Sequence, residues 1–498
     1  MKQAPRSLIL VTIDCLRADH VGFLGYERPT TPFLDSLASR SFVFRNAIAA
    51  GVPTYYSLPG ILASRFPLSM GRDVLGLAPD EPTIASELRE HGFTTGAFLA
   101  ANPYLSPRFG YDLGFDVFRD FLESGLVEFA SEQGAQPESR LRGRANRLFS
   151  QACHKVAPLG AAYDELYFRY CRKLDAPVDA AMDSLRRFPA ADVMVDYAIP
   201  WLSESAGVPF FLWLHLMDPH SPYFPKQEAL ELMGGGRLKG NRARYANSYW
   251  NRQELNAERL NNKREDVIAL YDAGIRWADT QIHRLTEKLV ELNLWDKCAL
   301  AVTADHGEEF LEHGGRFHTP MKLTQELTRV PLLLRVPEYS QGGQFESPLS
   351  LIDLAPTLLD IMGISQPAEF RGCSCWNQIQ KNERWDRAAV TECIKGCTNP
   401  FYPDGRMGSR ILAIMKGQNK LVVDFASGSE QLFDLASDPQ EVRPLPLDSA
   451  RGVRKELLQR AKKHLAESRK ALDFDRRLGA RLRDLRLEWA HSVTNDLY

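Results

Sequence analysis

The sequence predicts an α/β protein: a mostly parallel sheet sandwiched by helices, with a helical insertion and a small C-terminal antiparallel subdomain. Two observations carry that expectation. Short apolar runs of strand length recur along the chain, and between several of them lie segments whose apolar residues return at helical spacing. Near-continuous apolar character suits strands covered on both faces, as in a parallel sheet between helix layers.

In chain order the strands are "SLILVTI" (7–13), "TTGAFLA" (94–100), "PFFLWLHL" (209–216), "CALAVTA" (298–304) and "VPLLLRVP" (330–337). Helices are expected in "TPFLDSLASRS", "TIASELREHG" and the long "YDAGIRWADTQIHRLTEKLVELNLW", where Ile275, Leu285 and Leu289 recur at helical spacing. A main domain over residues 1–385 is interrupted at about 123–203 by a helix-rich, arginine-bearing insertion, placed where a cap over a surface site would lie. "LMGGGRLKGN" lacks a GK[ST] ending and follows no strand, so it reads as a flexible loop and not a phosphate loop. Residues 386–445 hold "SRILAIMKG", "NKLVVDF" and "QLFDL", short strands separated by turn residues, which predict the antiparallel subdomain. Residues 446–498 read as a basic helical tail whose stripe Leu478, Leu482, Leu485 and Trp489 would pack against the body or a partner subunit.

Composition excludes several classes. Across 498 residues the hydrophobic fraction is 44%, the charged fraction 25% and the formal net charge −2, so no global field draws the chain to nucleic acid. No apolar run approaches the ~18 to 20 residues that span a bilayer. The N-terminus, "MKQAPRSLILVTIDC", has a short apolar run followed at once by Asp14, Arg17, Asp19 and His20, with no small-residue cleavage site. A cytoplasmic location is expected. The 8 cysteines are too sparse for a disulfide scaffold, and Cys373, Cys375, Cys393 and Cys397 lack the usual zinc-knuckle spacing.

Chemistry-bearing side chains gather at the expected strand ends. Asp14 ends the first strand, His215, Asp218 and His220 end another, and Asp305 and His306 end a third, with Glu308, Glu309, His313 and His318 just beyond. Thr54, in "AAGVPTYYSLPGILASRFP", follows a strand-like approach and precedes a short helix. Taken singly, an Asp after a strand is an ordinary helix cap and a His an ordinary hydrogen-bonding residue. Together they sit where open α/β sheets collect ligands, at the carboxyl ends of strands, and carboxylates beside imidazole are donors for a divalent ion.

These stretches resemble the sulfatase family of the alkaline phosphatase superfamily. "LILVTIDCLRADHVGFLGYERPTTPFLDSLASRSFVFRNAIA" resembles the family's opening strand, metal aspartate and first helix; "LWLHLMDPHSPYFP" its middle histidine motif; "VTADHGEEFLEHGGRFH" its second metal motif. "RVPLLLRVP", "LSLIDLAPTLLDIMG" and "QLFDLASDPQEVRPLP" resemble its later landmarks. The implied fold is alkaline phosphatase-like.

The resemblance implies Asp14, Asp305, His306 and Thr54 as metal ligands, with Thr54 also at the nucleophile position. The family's C/S-x-P-x-R motif for formylglycine conversion is absent, because Tyr56 and Leu58 stand at its proline and arginine. Thr54 would then act unmodified, activated by a divalent ion, with Ser57 a lesser candidate. Cys15 stands where many sulfatases carry a second metal aspartate. With His306, it implies one divalent ion of the Mn²⁺ or Zn²⁺ kind ahead of Ca²⁺ or Mg²⁺. His318 is implied as general acid at the leaving oxygen and His220 as an anion contact, with Asn102 and His215 on the substrate side. Ala100 replaces a family lysine, which weakens the anion pocket.

The implied function is a sulfatase-like, metal-dependent hydrolase of a sulfate or phosphate ester, working through a covalent intermediate on Thr54. The alternatives are a phosphodiesterase or phosphoryl transferase of the same superfamily, and an inactive binding scaffold. A second ion held by His215, Asp218, His220 and His318 is set aside because their spacing is not D-x₃-H. The expected substrate is a small-molecule, glycan or lipid-headgroup ester, with no nucleic-acid partner. A homo-oligomer is left open.

Overall fold

The computed structural model describes residues 6–67, 76–122, 166, 185–319, 321–339, 341–394, 409–448 and 450–468. Strands β1 (Ser7–Ile13), β2 (Phe42–Ile48), β3 (Thr94–Leu99), β4 (Val117–Arg119), β5 (Phe210–Leu216), β6 (Cys298–Ala304), β9 (Arg329–Arg335), β10 (Gly343–Phe345) and β11 (Leu349–Ser350) form one sheet, with β7 (Glu309–Phe310) and β8 (Arg316–Phe317) a small ribbon beside it. The order is β10-β2-β9-β6-β1-β5-β3-β4, with β11 also on β2. β1 pairs parallel with β5 and β6, and β3 with β4 and β5; β9 alone runs against its neighbours β2 and β6. Every residue of β1, β5 and β6 is buried, as their unbroken apolar runs require.

Helices α1 (Pro32–Ala38), α4 (Ala191–Ser205) and α5 (Arg264–Glu291) pack together, as do α2 (Thr54–Ala63), α3 (Ile84–Glu90) and α6 (Leu354–Ile361). Asp279 of α5 accepts from the Phe33 and Leu34 amides at 3.0 and 2.9 Å, satisfying the first turn of α1. The insertion expected to 203 ends earlier. Its last part is α4, whose Met194, Val195, Ala198, Trp201 and Leu202 are buried in the core beneath β3 and β5. An apolar stripe at i, i+4 and i+7 made that segment a covering helix of the sheet. The rest of the insertion, apart from 166 and 185–190, lies outside the described residues. Residues 232–241 are also more ordered than a flexible loop, containing a single helical turn at Gly236–Leu238.

The C-terminal subdomain is the expected antiparallel sheet, β12 (Ala389–Ile394), β13 (Arg410–Lys416), β14 (Asn419–Asp424) and β15 (Ser429–Asp434) in sequential order. β13 and β14 are joined by Gly417 and Gln418, and Gly417 takes φ +57°, the positive value that tight hairpins favour. The division drawn at 446 cuts through a packed unit. A helix over residues 451–468 lays Leu457, Ala461 and Leu465 on Leu412, Ile414, Leu421, Val423 and Leu432. The stripe Leu478 to Trp489 lies outside the described residues. No described helix is long and apolar enough to cross a membrane.

Candidate active site

Register fixes where the side chains emerge. Thr12 of β1 pairs with His215 of β5 and Thr303 of β6, Ile13 pairs with Leu216 and Ala304, and Leu99 of β3 pairs with His215. Asp14 and Asp305 are thus the first residues past neighbouring parallel strands, which lie about 4.8 Å apart. His215 comes from the next strand on the other side. All three, and His306, are 0% exposed.

Thr54 reaches the same place from another direction. The chain leaves β2 and is held by the C-terminal sheet, where Thr391 Oγ1 donates to the Ala49 carbonyl at 2.7 Å and the Glu392 amide to Ala50 at 2.9 Å. Pro53 occupies the cap position of α2 and Thr54 the first helical position, so the hydroxyl is not spent on capping. Thr54 Oγ1 instead lies 3.2 Å from Asp14 Oδ2 and 3.1 Å from His306 Nε2, at the positive end of α2. Ser57, one turn on, donates to the Asp305 carbonyl at 2.5 Å and faces backbone, away from the cluster.

The "DHG" turn is sterically determined. A Cβ on Gly307 would sit 1.9 Å from the Glu326 carbonyl oxygen, so only glycine allows the chain to turn sharply after His306. His306 Nδ1 bonds the Gly307 carbonyl at 2.8 Å and leaves Nε2 facing Thr54. Asp305 Oδ1 accepts from the His306 amide at 2.9 Å and the Cys15 amide at 3.3 Å. Cys15 takes φ +61°, a strained value for a side-chain-bearing residue, and Tyr271 fixes it by donating to its carbonyl at 2.7 Å.

These groups fit a divalent cation. Asp305 Oδ2 and His215 Nε2 are buried with no hydrogen-bond partner, and Asp14, Cys15 and His306 offer donor atoms within 4.8 Å of one another. Two buried carboxylates side by side need a counter-charge that described lysines and arginines do not supply at this cluster. Burial would raise Asp14, but the imidazoles of His220, His215 and His306 hold it well below the usual carboxylate range. Burial and the Asp14 charge push Asp305 up instead.

A cavity of about 250 Å³ opens over Thr54, lined also by Tyr55, Asn102, Tyr104, Phe188, His220 and His318. Its described lining holds no lysine or arginine. His318 Nδ1 lies 2.9 Å from Glu308 Oε2, which also accepts from Tyr223 at its other oxygen, 2.6 Å away. Burial disfavours the imidazolium, but Glu308 outweighs it and raises His318. His220 is lowered, chiefly by burial. It bonds the Ser221 carbonyl through Nδ1 at 2.5 Å, so its Nδ1 hydrogen is not available to an anion. Asn102 faces inward, but its amide donates to Asp14 Oδ2 at 3.1 Å; in this arrangement it orients the carboxylate. His215 sits behind Asp14 at 3.4 Å, its Nδ1 tied to Thr12 at 2.8 Å, and does not line the cavity.

The four residues weighed for a second ion do not converge. His215 faces Asp14, while Asp218 is bound by Arg186 at 2.9 Å. Burial pushes Asp218 up to about 6, against the pull of Arg186. Arg186→Leu is expected to cost about 3 kcal/mol of unfolding free energy near neutral pH, because it strands a buried carboxylate. Loss of Arg186 raises the native pKa further, so the charge penalty develops as pH rises from the unfolded pKa toward the native one and vanishes below about 4, where Asp218 is protonated in both states. Urea unfolding at the two pH values checks the sign.

Sequence reasoning assigned no role to Glu308, Tyr223, Phe188 or Arg186. Glu308 had a signal, being three residues past Asp305 in a motif already singled out. Phe188 and Arg186 had none, since they enter from the far end of the insertion.

A parallel sheet whose strand ends carry Asp14 and Asp305-His306 around Thr54 defines a member of the alkaline phosphatase-like α/β class. The family profile described as Sulfatase matches residues 6–364, and that described as N-sulphoglucosamine sulphohydrolase, C-terminal, matches residues 312–471. The chain belongs to the sulfatase family. An arylsulfatase of Clostridium perfringens is 24% identical over 88% of this chain and 90% of its own. Arylsulfatase K of Xenopus laevis is 26% identical over 50% of this chain, and the match spans about half of that relative, 51%. Among solved structures, one in complex with its substrate D-glucosamine-2-N,6-O-disulfate has a TM-score of 0.67 at 18% identity, covering 94% of this chain and 99% of the other. Phosphonate monoester hydrolase of Agrobacterium radiobacter has a TM-score of 0.62 at 18% identity, covering 94% and 96%.

Proposed function

We propose that the protein is a metal-dependent hydrolase of sulfate esters in which unmodified Thr54 is the nucleophile. The observation that carries this reading is the Thr54 hydroxyl, unspent on its helix and 3.2 and 3.1 Å from Asp14 and His306. Asp14, Asp305 and His306 would hold the ion with Thr54 against it. When bound, a divalent ion favours the threonine alkoxide and offsets the charge of the anion under attack.

The chain's own residues supply the rest. The Thr54 proton is directed at Asp14 Oδ2, its hydrogen-bond acceptor. Oγ1 forms a bond to sulfur as the sulfur–oxygen bond to the alcohol breaks, and His318 delivers its proton to the departing oxygen. Water then cleaves the threonyl ester and releases sulfate. Glu308, buried and anchored by Tyr223, favours the protonated form of His318 that its part requires. The aromatic wall of Tyr55, Tyr104 and Phe188 takes the organic group and excludes water.

Release of phenol from aryl sulfate, aryl phosphate and bis-aryl phosphate, each with Mn²⁺ or Zn²⁺, tests the reading; inactivity on all three would reject it. Phosphoryl chemistry is the second reading, favoured by a direct hydroxyl nucleophile and a cavity without described lysine or arginine, which suits a singly charged diester. His318→Asn is expected to lower kcat by about 100-fold on an ester with a poor leaving group and far less on a nitrophenyl ester. Equal losses on both would remove the acid role.

A further inference from the structure

We propose that Arg329, Gln325 and His20 form a separate binding site, for the oxyanion end of a small phosphorylated, sulfated or carboxylated molecule. They line a cavity of about 310 Å³ to which Pro439 and Gln440 of the C-terminal subdomain also contribute. It shares no lining residue with the cavity over Thr54, so the site stands whether or not the ester reading does.

Arg329 is the cation out of step with its surroundings. Arg17 pairs with Asp19 and Glu312 at 2.7 Å each, Arg264 with Glu312 at 3.1 Å, and Arg45 with Glu346 at 3.1 Å. Arg28 is taken by Asp272. Arg329 pairs with no described carboxylate; its Nε donates to the Arg45 carbonyl at 2.8 Å, which fixes the guanidinium plane and leaves the two terminal nitrogens for a ligand. Burial lowers its pKa, and Asp19 offsets that only in part. An oxyanion in the fork supplies the missing counter-charge.

Two further donors are unspent. Gln325 Nε2 is buried with no hydrogen-bond partner, which costs free energy until an acceptor arrives. His20, 6% exposed, turns Nδ1 to Asp272 at 2.7 Å, and no described group bonds its Nε2. A facing oxyanion favours the imidazolium, in which both ring nitrogens donate. Of the acidic lining, Asp19 and Glu312 are held by Arg17, while Glu326 is pushed up by burial and accepts from Thr324, so none of them is spent on Arg329. The frame is built before a ligand enters: Glu441 accepts from the Gln325 amide at 2.6 Å and pairs with Lys420, both buried. A neighbouring cavity of about 420 Å³ shares Asp19, Tyr26 and Arg329, which gives room for an organic remainder beyond the anion.

The test is equilibrium dialysis of labelled inorganic phosphate, sulfate and acetate against the full chain, at an ionic strength held constant with chloride. Wild type is compared with Arg329→Gln, with Gln325→Leu and with Asp305→Asn, which disturbs only the ester site. Asp305→Asn is expected to retain one bound equivalent, and Arg329→Gln and Gln325→Leu each to weaken that binding by about 10-fold or more. Melting temperatures in chloride close to wild type show that the variants fold, and Gln325→Leu, which breaks no ion pair, keeps the test decisive if Arg329→Gln does not. Tighter phosphate or sulfate supports a tetrahedral oxyanion in the fork, and tighter acetate a carboxylate. Binding lost in Asp305→Asn but kept in both cavity variants would place the anion at the ester site and overturn the proposal. So would equal affinity in wild type and the cavity variants, or no bound anion at all.

Discussion

Thr54→Ala is expected to lower kcat/KM on every active ester by at least about 10³-fold, with the melting temperature close to that of wild type. The methyl side chain removes the only hydroxyl that faces both Asp14 and His306 among the described residues, and Ser57, aimed at the Asp305 carbonyl, cannot take its place without unwinding α2. Thr54→Ser restores the oxygen and is expected to recover part of the rate. Intact-mass analysis under rapid quench supplies the complementary reading: wild type gains the mass of one transferred group and Thr54→Ala gains none. Retention of more than a tenth of the wild-type rate by Thr54→Ala would show that water, or another side chain, attacks directly.

That the meeting of Asp14 and Asp305 was legible in sequence, and the surroundings of His318 less so, has a physical reason. β1 and β6 announce themselves because a strand buried on both faces must be apolar throughout, and their ends follow without any tertiary information. Asp14 and Asp305 then meet because adjacent parallel strands deliver their next residues side by side. Nothing comparable predicts Cys15 beside His220 and His318. Those residues come from three remote segments, and their approach depends on the left-handed turn at Cys15 and the ribbon of β7 and β8. The direction of a side chain is equally hidden: Asn102 was read toward substrate, but the Asp14 carboxylate draws its amide inward. The C-terminal sheet was legible as a sheet, whereas its hold on the strand leading to Thr54 was not, because Thr391 and Ala49 meet only through the tertiary fold.

Asp305→Asn separates the two jobs of that side chain, and two opposite effects are expected. The substitution keeps an oxygen where Oδ1 accepts from the His306 and Cys15 amides, so the turn is retained. It replaces the unpartnered Oδ2, the charged oxygen proposed to face the ion, with a neutral amide. Metal affinity is expected to fall by about 100-fold or more, and ester turnover with it, even at saturating substrate. Stability without metal is expected to move the other way. Burial and Asp14 raise Asp305 above its unfolded value, so its ionisation opposes folding, and the metal-free wild type loses stability as pH rises from the unfolded pKa toward the native one. An asparagine there has no such charge. In chelator at neutral pH the variant should therefore melt above wild type, and on adding Mn²⁺ the order should invert, since only wild type gains the binding energy of a tightly held ion. A variant that melts below wild type in chelator, or that gains as much from Mn²⁺, would place the ion somewhere other than between Asp14, Asp305 and His306.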